Sequence, residues 1–299
     1  MSIIVFIPLI LSLLACARGD YVAAVAEHTV FMGQSSDTSS YKLQVNLDIY
    51  KNLTVLAKSR GAQVLVFPEF GLVPDTIDHR SSLYDYAEEI DFNPSNPIVP
   101  CDHPEQFTDK PVQYQMSCVA KEQGIVVLVN TVHWVDCDSA IDSSCPEDKH
   151  YQFNTDIILD ERGALVSLYH KSHEFPGLLK AYDQYPQITE VTYKASFGVT
   201  FGIFICFDIM FDDPPKMLRQ QGVEHFLYAV QQGDIGEKTI IEGWSKSNDA
   251  VVLSANLGSG KNDCSGIINR GTPLNAKKYF LTDSAFSEEN VLVATVPAN

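Results

Sequence analysis

Short apolar runs alternate with longer stretches of helical periodicity along this chain, and that alternation limits its fold more than any other feature. The runs have the length of β-strands. Strands separated by helices are typical of an α/β protein whose sheets are covered by helices on their outer faces. The predicted strands are 21–25, 64–67, 125–129, 153–159, 165–169, 200–206, 226–230, 251–255 and 292–296. The predicted helices are 40–60, 111–122, 215–221 and 239–250.

Composition sets the class of protein and excludes two kinds of partner. The chain has 299 residues, of which 45% are hydrophobic and 20% charged, as is ordinary for a globular enzyme. No repeat, low-complexity tract or long linker divides it, so a single domain is the simpler interpretation. The formal net charge of -17 argues against nucleic acid or an anionic membrane as a partner, because both require a basic surface.

The N-terminus has the pattern of a secretion signal. Residues 3–14 are almost wholly apolar and are followed by the small residues Ala15-Cys16-Ala17. This run is too short for a membrane-spanning helix, and no later run reaches that length. Leu13-Leu14-Ala15-Cys16 also fits a bacterial lipoprotein box. We predict a signal peptide at 1–19, a domain at 20–299, and a secreted, extracellular protein without an integral membrane segment.

The cysteines fit an oxidising compartment. Four of the seven lie in loop-rich sequence and are candidates for two disulfides: Cys101, Cys118, Cys137 and Cys145. Four cysteines allow three pairings, and proximity in sequence favours Cys101 with Cys118 and Cys137 with Cys145. A zinc site is the alternative, although the Cys-x-x-Cys pairs usual in such sites are missing. Cys264 is left over in this count.

Three predicted strands each end in a residue whose side chain can take part in catalysis. Glu69 follows the strand at 64–67, Lys171 follows the strand at 165–169, and Cys206 ends the strand at 200–206. Each alone has an ordinary interpretation, as a turn residue, a surface charge or a small buried side chain. The carboxyl ends of strands in α/β proteins are where chemistry is usually found. A carboxylate, an ammonium and a thiol together can cleave an amide.

The sequence around these residues resembles the Glu-Lys-Cys motifs of the nitrilase superfamily. The motifs are Val66-Phe67-Pro68-Glu69, Tyr169-His170-Lys171, and the run from Phe201 to Asp208 that contains Cys206. The resemblance is closest to the vanin and biotinidase branch, whose members are secreted amide hydrolases. It implies the four-layer α-β-β-α sandwich of that superfamily, in a single domain.

The resemblance also implies roles for the three residues. Cys206 would be the nucleophile that forms a thioester, Glu69 the proton acceptor, and Lys171 the proton donor and oxyanion stabiliser. A backbone N–H after Cys206 would be a second oxyanion donor. No metal or organic cofactor is implied, because side chains supply the nucleophile, the base and the oxyanion stabiliser.

Two segments depart from the pattern of the relatives. Many carry another glutamate seven or eight residues beyond the lysine, where this chain has Leu178 and Leu179. Glu174 is the candidate to replace it. The segment 229–234 replaces a tryptophan-containing pocket segment of the vanins. These departures bear on whether an amide is cleaved and on which one.

Three functions therefore remain open at this stage. The resemblance favours cleavage of pantetheine to pantothenate and cysteamine. A biotinidase-like or other amidase activity on a small-molecule amide is the first alternative. The second is an inactive secreted binding protein on the same scaffold. The resemblance leaves a homodimer open as well.

The remaining polar residues of interest receive structural interpretations. Asn52 belongs to the glycosylation sequon Asn52-Leu53-Thr54 and falls on the polar face of the first helix, which Ser39 or Ser40 would cap. Asp208 is interpreted as a structural turn residue. Asn154 and Asp156 are interpreted as packing residues or hydrogen-bonded neighbours of the site. His173 is interpreted as a hydrogen-bonded neighbour on the same face as Lys171.

Overall fold

The computed structural model describes residues 19–27, 29–73, 79–231, 236–258, 265–276 and 290–297. The predicted signal peptide therefore lies outside the described residues, apart from Gly19. Cys264 and residues 232–234 of the 229–234 segment lie outside them as well. Side chains of 236–238 are not described.

The described strands form two sheets. The first sheet has seven strands in the order β13-β1-β2-β4-β5-β6, with β3 paired to β4. Pairing is parallel from β1 through β2 to β4 and antiparallel from β4 through β5 to β6. Its strands are β1 (Tyr21–Ala26), β2 (Val64–Val66), β3 (Ala87–Glu89), β4 (Val126–Asp136), β5 (His150–Leu159), β6 (Leu165–His170) and β13 (Val291–Val296).

The second sheet has six strands in the order β12-β11-β10-β9-β8-β7. Its central strands β8, β9 and β10 are parallel, so their carboxyl ends lie at one edge. Its strands are β7 (Thr192–Lys194), β8 (Thr200–Ile205), β9 (His225–Val230), β10 (Val251–Asn256), β11 (Gly266–Asn269) and β12 (Thr272–Ala276).

Helices cover the outer face of each sheet. They are α1 (Ser39–Ser59), α2 (Pro111–Gln123), α3 (Pro215–Gln220) and α4 (Gly236–Ser247). One apolar core joins α1 and α2 to the first sheet, and another joins α3 and α4 to the second. A third core lies between the two sheets. The predicted four-layer α-β-β-α sandwich is confirmed.

The strands read as continuous apolar runs because both of their faces are buried. In β1, Ala23 and Val25 face the layer between the sheets, whereas Ala24 and Ala26 face the helices. In β8, Ile203 points between the sheets while Phe204 packs against the outer helices. Burial on both sides removes the alternation of polar and apolar residues that a half-exposed strand shows.

The nine predicted strands are present, with ends that differ by a few residues. Most of these shifts are one residue, but β4 continues to Asp136 and β5 begins at His150. The strands β3, β7, β11 and β12 were not predicted. They are three to five residues long. Segments this short carry too little hydrophobic periodicity to be recognised.

Two helix boundaries correct the sequence interpretation. Thr38, and not Ser39 or Ser40, caps α1, since its side chain accepts a hydrogen bond from the backbone N–H of Tyr41. Helix α4 ends at Ser247 rather than at residue 250. The chain turns at Asp249, whose φ of 49° lies in the left-handed region.

Two disulfides join the pairs that proximity in sequence favoured. Cys101 is bonded to Cys118 and Cys137 to Cys145. The first bond fastens the turn Pro100–Asp102 to helix α2. None of the described helices combines the length and the apolar character needed to cross a membrane.

Candidate active site

Four strand ends from both sheets meet around one cavity. Glu69 follows β2 and Lys171 follows β6, both in the first sheet. Cys206 follows β8 and Gln231 follows β9, both in the second sheet. All four residues line a cavity of about 410 Å³. The structure therefore brings together the three residues that the strand-end pattern singled out.

Glu69 is fully buried and accepts three hydrogen bonds. Lys171 Nζ donates to its Oε1 at 2.7 Å, and Asn154 Nδ2 donates to the same oxygen at 2.8 Å. The backbone N–H of Gln231 donates to Oε2 at 3.0 Å. These donors come from the middle of β5 and from the ends of β6 and β9, so the carboxylate is held in one orientation at the cavity wall.

Lys171 is buried between two carboxylates. Burial alone would lower its pKa, but the charges of Glu69, Glu174 and Cys206 outweigh that effect and raise the pKa well above the usual lysine value. Its Nζ lies 3.7 Å from Glu174 Oε2 and 2.7 Å from Glu69 Oε1. Lys171 is therefore a fixed positive charge at neutral pH, and Cys206 is close enough to interact with it.

Glu174 is the residue whose role the sequence left open. It is buried, and burial raises its pKa to about 7, while Lys171 opposes that shift and Glu69 and Asp208 add to it. No donor in the described part of the chain forms a hydrogen bond with either carboxylate oxygen. Its contact with Lys171 at 3.7 Å is too long for an ordinary hydrogen bond. Glu174 thus places a second carboxylate beside Lys171.

Cys206 occupies a strained turn at the end of β8. The strand ends at Ile205, one residue earlier than predicted, and Cys206 begins the 3₁₀ turn Cys206–Met210. Its φ of 43° is in the left-handed region, which is uncommon for a residue other than glycine. Such strain is typical of functional positions. Cys206 takes part in neither disulfide and is partly exposed to the cavity.

Asp208 ties the Cys206 turn to the Lys171 segment. Its carboxylate accepts hydrogen bonds from Tyr169 Oη at 2.7 Å, from the His173 N–H at 2.8 Å and from the Ile205 N–H at 2.9 Å. Burial raises its pKa to about 6, against the effect of these donors. Because one side chain bonds to residues on both sides of Lys171, Asp208 fixes the spacing between the two sheets at the site.

A buried amide network supports Glu69 from behind. Asn130 Nδ2 donates to Asn154 Oδ1 at 2.8 Å and to Asp156 Oδ1 at 2.9 Å, and Asn154 in turn donates to Glu69. Asn130 Oδ1 also accepts a hydrogen bond from the N–H of Phe70. Burial raises the pKa of Asp156 well above its usual value. The predicted neighbours Asn154 and Asp156 therefore orient the carboxylate.

Sequence reasoning missed two of these groups. Asn130 is a polar residue within the apolar strand β4, and that interruption was the available signal. Gln231 directly follows β9, so the strand-end pattern applied to that strand would have identified it. His173, expected on the same face as Lys171, instead stacks on Phe211 and contacts the Asp213 carbonyl oxygen.

The other predicted positions lie at or away from the cavity. Leu178 lines it, whereas Leu179 is half exposed and is not among its lining residues. Asn52 is exposed on α1, so its modification stays a prediction. In the described part of the chain, no group of three or more His, Cys, Asp or Glu side chains could hold a metal ion.

Comparison with known families agrees with this geometry. The carbon-nitrogen hydrolase family profile matches residues 23–264, which is most of the chain. The chain belongs to the carbon-nitrogen hydrolase family, in the vanin and biotinidase branch of the nitrilase superfamily.

Relatives in that branch are identical to this chain at about a third of the aligned residues. Pantetheinase from Mus musculus is 37% identical over 257 residues, covering 81% of this chain and 49% of the mouse protein. Biotinidase from Takifugu rubripes is 30% identical over 309 residues, covering 99% of this chain and 60% of that protein. The chain spans about half the length of the curated relatives it matches.

Solved structures show the same fold. An amidase from Nesterenkonia sp. superposes with a TM-score of 0.62 at 20% sequence identity. The match covers 94% of this chain and 91% of that chain. At this identity the likeness concerns the fold.

Proposed function

We propose that this protein is a secreted hydrolase that cleaves a linear amide through a thioester on Cys206. One observation carries the proposal: the buried contact of 2.7 Å between Glu69 and Lys171 lies in the wall of the cavity that Cys206 also lines. Membership of the carbon-nitrogen hydrolase family supports this chemistry. An inactive binding protein would have no need to bury this ion pair, because buried charges cost free energy.

The first half of the reaction forms the acyl-enzyme. Glu69 takes the proton of the Cys206 thiol, and the thiolate attacks the amide carbonyl carbon. The carbon-sulfur bond forms as the carbonyl electrons move to oxygen. When the tetrahedral intermediate collapses, Glu69 gives its proton to the nitrogen, the carbon-nitrogen bond breaks and the amine leaves. The acyl group remains on sulfur.

The second half releases the acid. Glu69 takes a proton from water, and the resulting hydroxide attacks the thioester carbonyl. The carbon-sulfur bond breaks, the thiolate recovers the proton from Glu69, and the carboxylic acid departs. The same carboxylate thus serves both halves, which its three hydrogen bonds favour by keeping it in one place.

Lys171 would stabilise the oxyanion that develops in both halves. Its ammonium is held charged by Glu69 and Glu174, so the positive charge needs no reorganisation when the negative charge appears. The backbone N–H that follows the left-handed residue Cys206 would be the second donor.

The proposed substrate class follows the named relatives. Pantetheinases and a biotinidase are among the curated proteins that match, and pantetheine is the first substrate to test. A biotin amide is the second. The disulfides support an extracellular location, since such bonds persist in oxidising compartments. We also propose the signal peptide at 1–19 and glycosylation at Asn52.

The test is intact-mass analysis of the protein mixed with pantetheine or with biotinyl-lysine. The expected result is an acyl adduct on the wild type and none on Cys206→Ala, with cysteamine or lysine released into solution. Cys206→Ser and circular dichroism control for folding. Absence of both adduct and released amine with every amide tested, together with labelling of Cys206 no faster than a model thiol at pH 7, would refute the proposal.

A further inference from the structure

The cavity beside Cys206 has an apolar lining that the proposed chemistry does not use. Six of its described side chains form what we term the apolar wall: Phe175, Leu178, Phe207, Ile209, Met210 and Ile240. Such linings bind the non-reacting part of a small molecule. The apolar wall therefore bears on which substrate the site accepts.

Two turns build most of the apolar wall. One follows Lys171 and carries Phe175 and Leu178, and the other begins at Cys206 and carries Phe207 and Met210. The rings of Phe175 and Phe207 meet edge to face, with centroids 5.5 Å apart. This contact closes one side of the cavity. Because each turn directly adjoins a reacting group, the wall begins beside the proposed position of the carbonyl.

The wall continues to the protein surface. Phe175 is 51% exposed and Met210 is 58% exposed, and exposed apolar side chains that share one site are more informative than ones scattered singly over the surface. Both lie at the cavity. An apolar group longer than the cavity would find further apolar surface at its mouth.

The described charges at the cavity are already paired with each other. Glu69 and Lys171 are the charged residues among its described lining, and their side chains contact at 2.7 Å. A charged group placed against the apolar wall would lose its hydration without gaining a partner there. The net charge of -17 further disfavours the approach of an anionic substrate.

Leu178 strengthens this interpretation. It lies on the wall four residues after Glu174, which supplies the second carboxylate beside Lys171. The same segment therefore places a carboxylate next to the lysine and an apolar side chain at the cavity.

We infer that the site selects amides whose acyl group is uncharged and is apolar next to the carbonyl, with the apolar wall as the specificity determinant. The inference rests on the proposed thioester chemistry. It places the acyl side of the amide, and not the departing amine, against Phe175, Leu178 and Met210.

The test uses 4-nitroanilides, so that the leaving group is the same throughout. The 4-methylpentanoyl and succinyl groups have nearly the same shape but differ in charge, because a carboxylate replaces the terminal isopropyl group. We expect kcat/KM to be at least about 100-fold higher for 4-methylpentanoyl, as expected when a charge must be buried without a partner. From acetyl to butyryl, kcat/KM should rise about 4-fold per methylene.

Three variants locate the effect. Phe175→Ala should lower kcat/KM for 4-methylpentanoyl about 10-fold and leave acetyl almost unchanged. Leu179→Ala is the matched control, since Leu179 is 50% exposed on the same segment but is not among the lining residues. Met210→Arg should raise the succinyl rate and lower the 4-methylpentanoyl rate. Reversal of selectivity cannot result from unfolding.

The outcomes separate the inference from the proposed function. Equal rates for succinyl and 4-methylpentanoyl, with an acyl adduct on Cys206, would overturn the inference alone. Calorimetry on Cys206→Ala with 4-methylpentanamide and succinamate tests it without turnover: tighter binding of the uncharged amide supports it, and equal or reversed affinity overturns it. Absence of any adduct or product would overturn the proposed chemistry.

Discussion

The protein buries two glutamates, Glu88 and Glu174, to almost the same extent in very different surroundings. Each is about 95% buried, and burial raises the pKa of each to about 7. Glu88 is the middle residue of β3 and lies beneath the N-terminus of α2, whereas Glu174 follows Lys171 at the site. Equal burial and equal pKa values therefore do not make the two groups equivalent.

The difference is in what each carboxylate contacts. Glu88 accepts hydrogen bonds from the N–H groups of Val112 and Gln113 and from the Gln113 side chain, at 2.6, 3.2 and 3.0 Å. It satisfies donors that the first turn of a helix would otherwise leave unpaired. Glu174 has no such donor among the described residues and faces an ammonium at 3.7 Å.

The comparison shows how to separate structure from function when the titration behaviour is the same. A fully bonded carboxylate stabilises the fold. A carboxylate left without hydrogen bonds beside a charge and a cavity is held at a cost in stability, which is typical of a functional site. The following variants test whether the two carboxylates differ in function as they differ in their contacts.

The largest effect should come from Glu69→Gln. Glutamine keeps the shape of the side chain but cannot accept a proton from Cys206. We expect kcat/KM to fall about 1,000-fold. Steady-state kinetics on pantetheine or on the 4-nitroanilides measures it. Glu88→Gln, a buried glutamate away from the cavity, should retain wild-type kcat/KM, and equal losses in the two variants would contradict the contrast.

On the other side of the comparison, the double variant Cys101→Ser with Cys118→Ser should mainly affect stability. The bond closes a segment with a sequence separation of 17 that contains Val112 and Gln113, the donors to Glu88, and its loss should cost about 3 kcal/mol in the free energy of unfolding. Urea unfolding measures it. Removal of the Cys137–Cys145 bond, with a separation of 8, is the control and should cost somewhat less. A loss of activity in the folded double variant would be unexpected.

Glu174→Gln should lower kcat/KM about 10- to 100-fold, because Lys171 loses one of its two carboxylates. In the wild type Glu174 ionises as the pH rises through about 7, so kcat/KM should rise over the same window. The variant should lose that rise, and Glu88→Gln should keep it. A pH-rate profile from pH 5 to 9 decides this, and an unchanged rise in Glu174→Gln would refute the role.

The smallest effect concerns Glu88 and pH. Its pKa is about 7 in the folded protein and 4.5 in the unfolded chain, so its contribution to stability is full below pH 4.5 and is lost as the pH rises through 7. The stability of the wild type relative to Glu88→Gln should therefore decrease over this window, by roughly 1–3 kcal/mol. Urea unfolding at pH 4.5 and pH 8 measures the difference, and a difference that does not change with pH would contradict it.

The alternation of strands and helices predicted sheets covered by helices, and the resemblance to the nitrilase superfamily supplied the four layers. The strand-end pattern singled out Glu69, Lys171 and Cys206, because chemistry in α/β proteins is usually found at the carboxyl ends of strands, a rule that needs no knowledge of side-chain packing. The short strands β7 and β12 escaped because their few residues carry no periodic signal.

The contacts that complete the site could not be predicted, because they depend on how distant segments turn. Asp208 bonds to Tyr169, which is 39 residues away, and Gln231 bonds to Glu69, which is 162 residues away. No spacing in the sequence specifies such pairs. Glu174 was a candidate, but its approach to Lys171 depends on the path of the chain after β6.

Because the site is divided between two sheets, its activity depends on how those sheets are aligned. The acid and the lysine move with the first sheet, and the thiol moves with the second. A small slide between them would separate base from nucleophile while every strand kept its own hydrogen bonds. Heating, pressure or a truncated side chain deep between the sheets should therefore abolish activity before the secondary structure is lost.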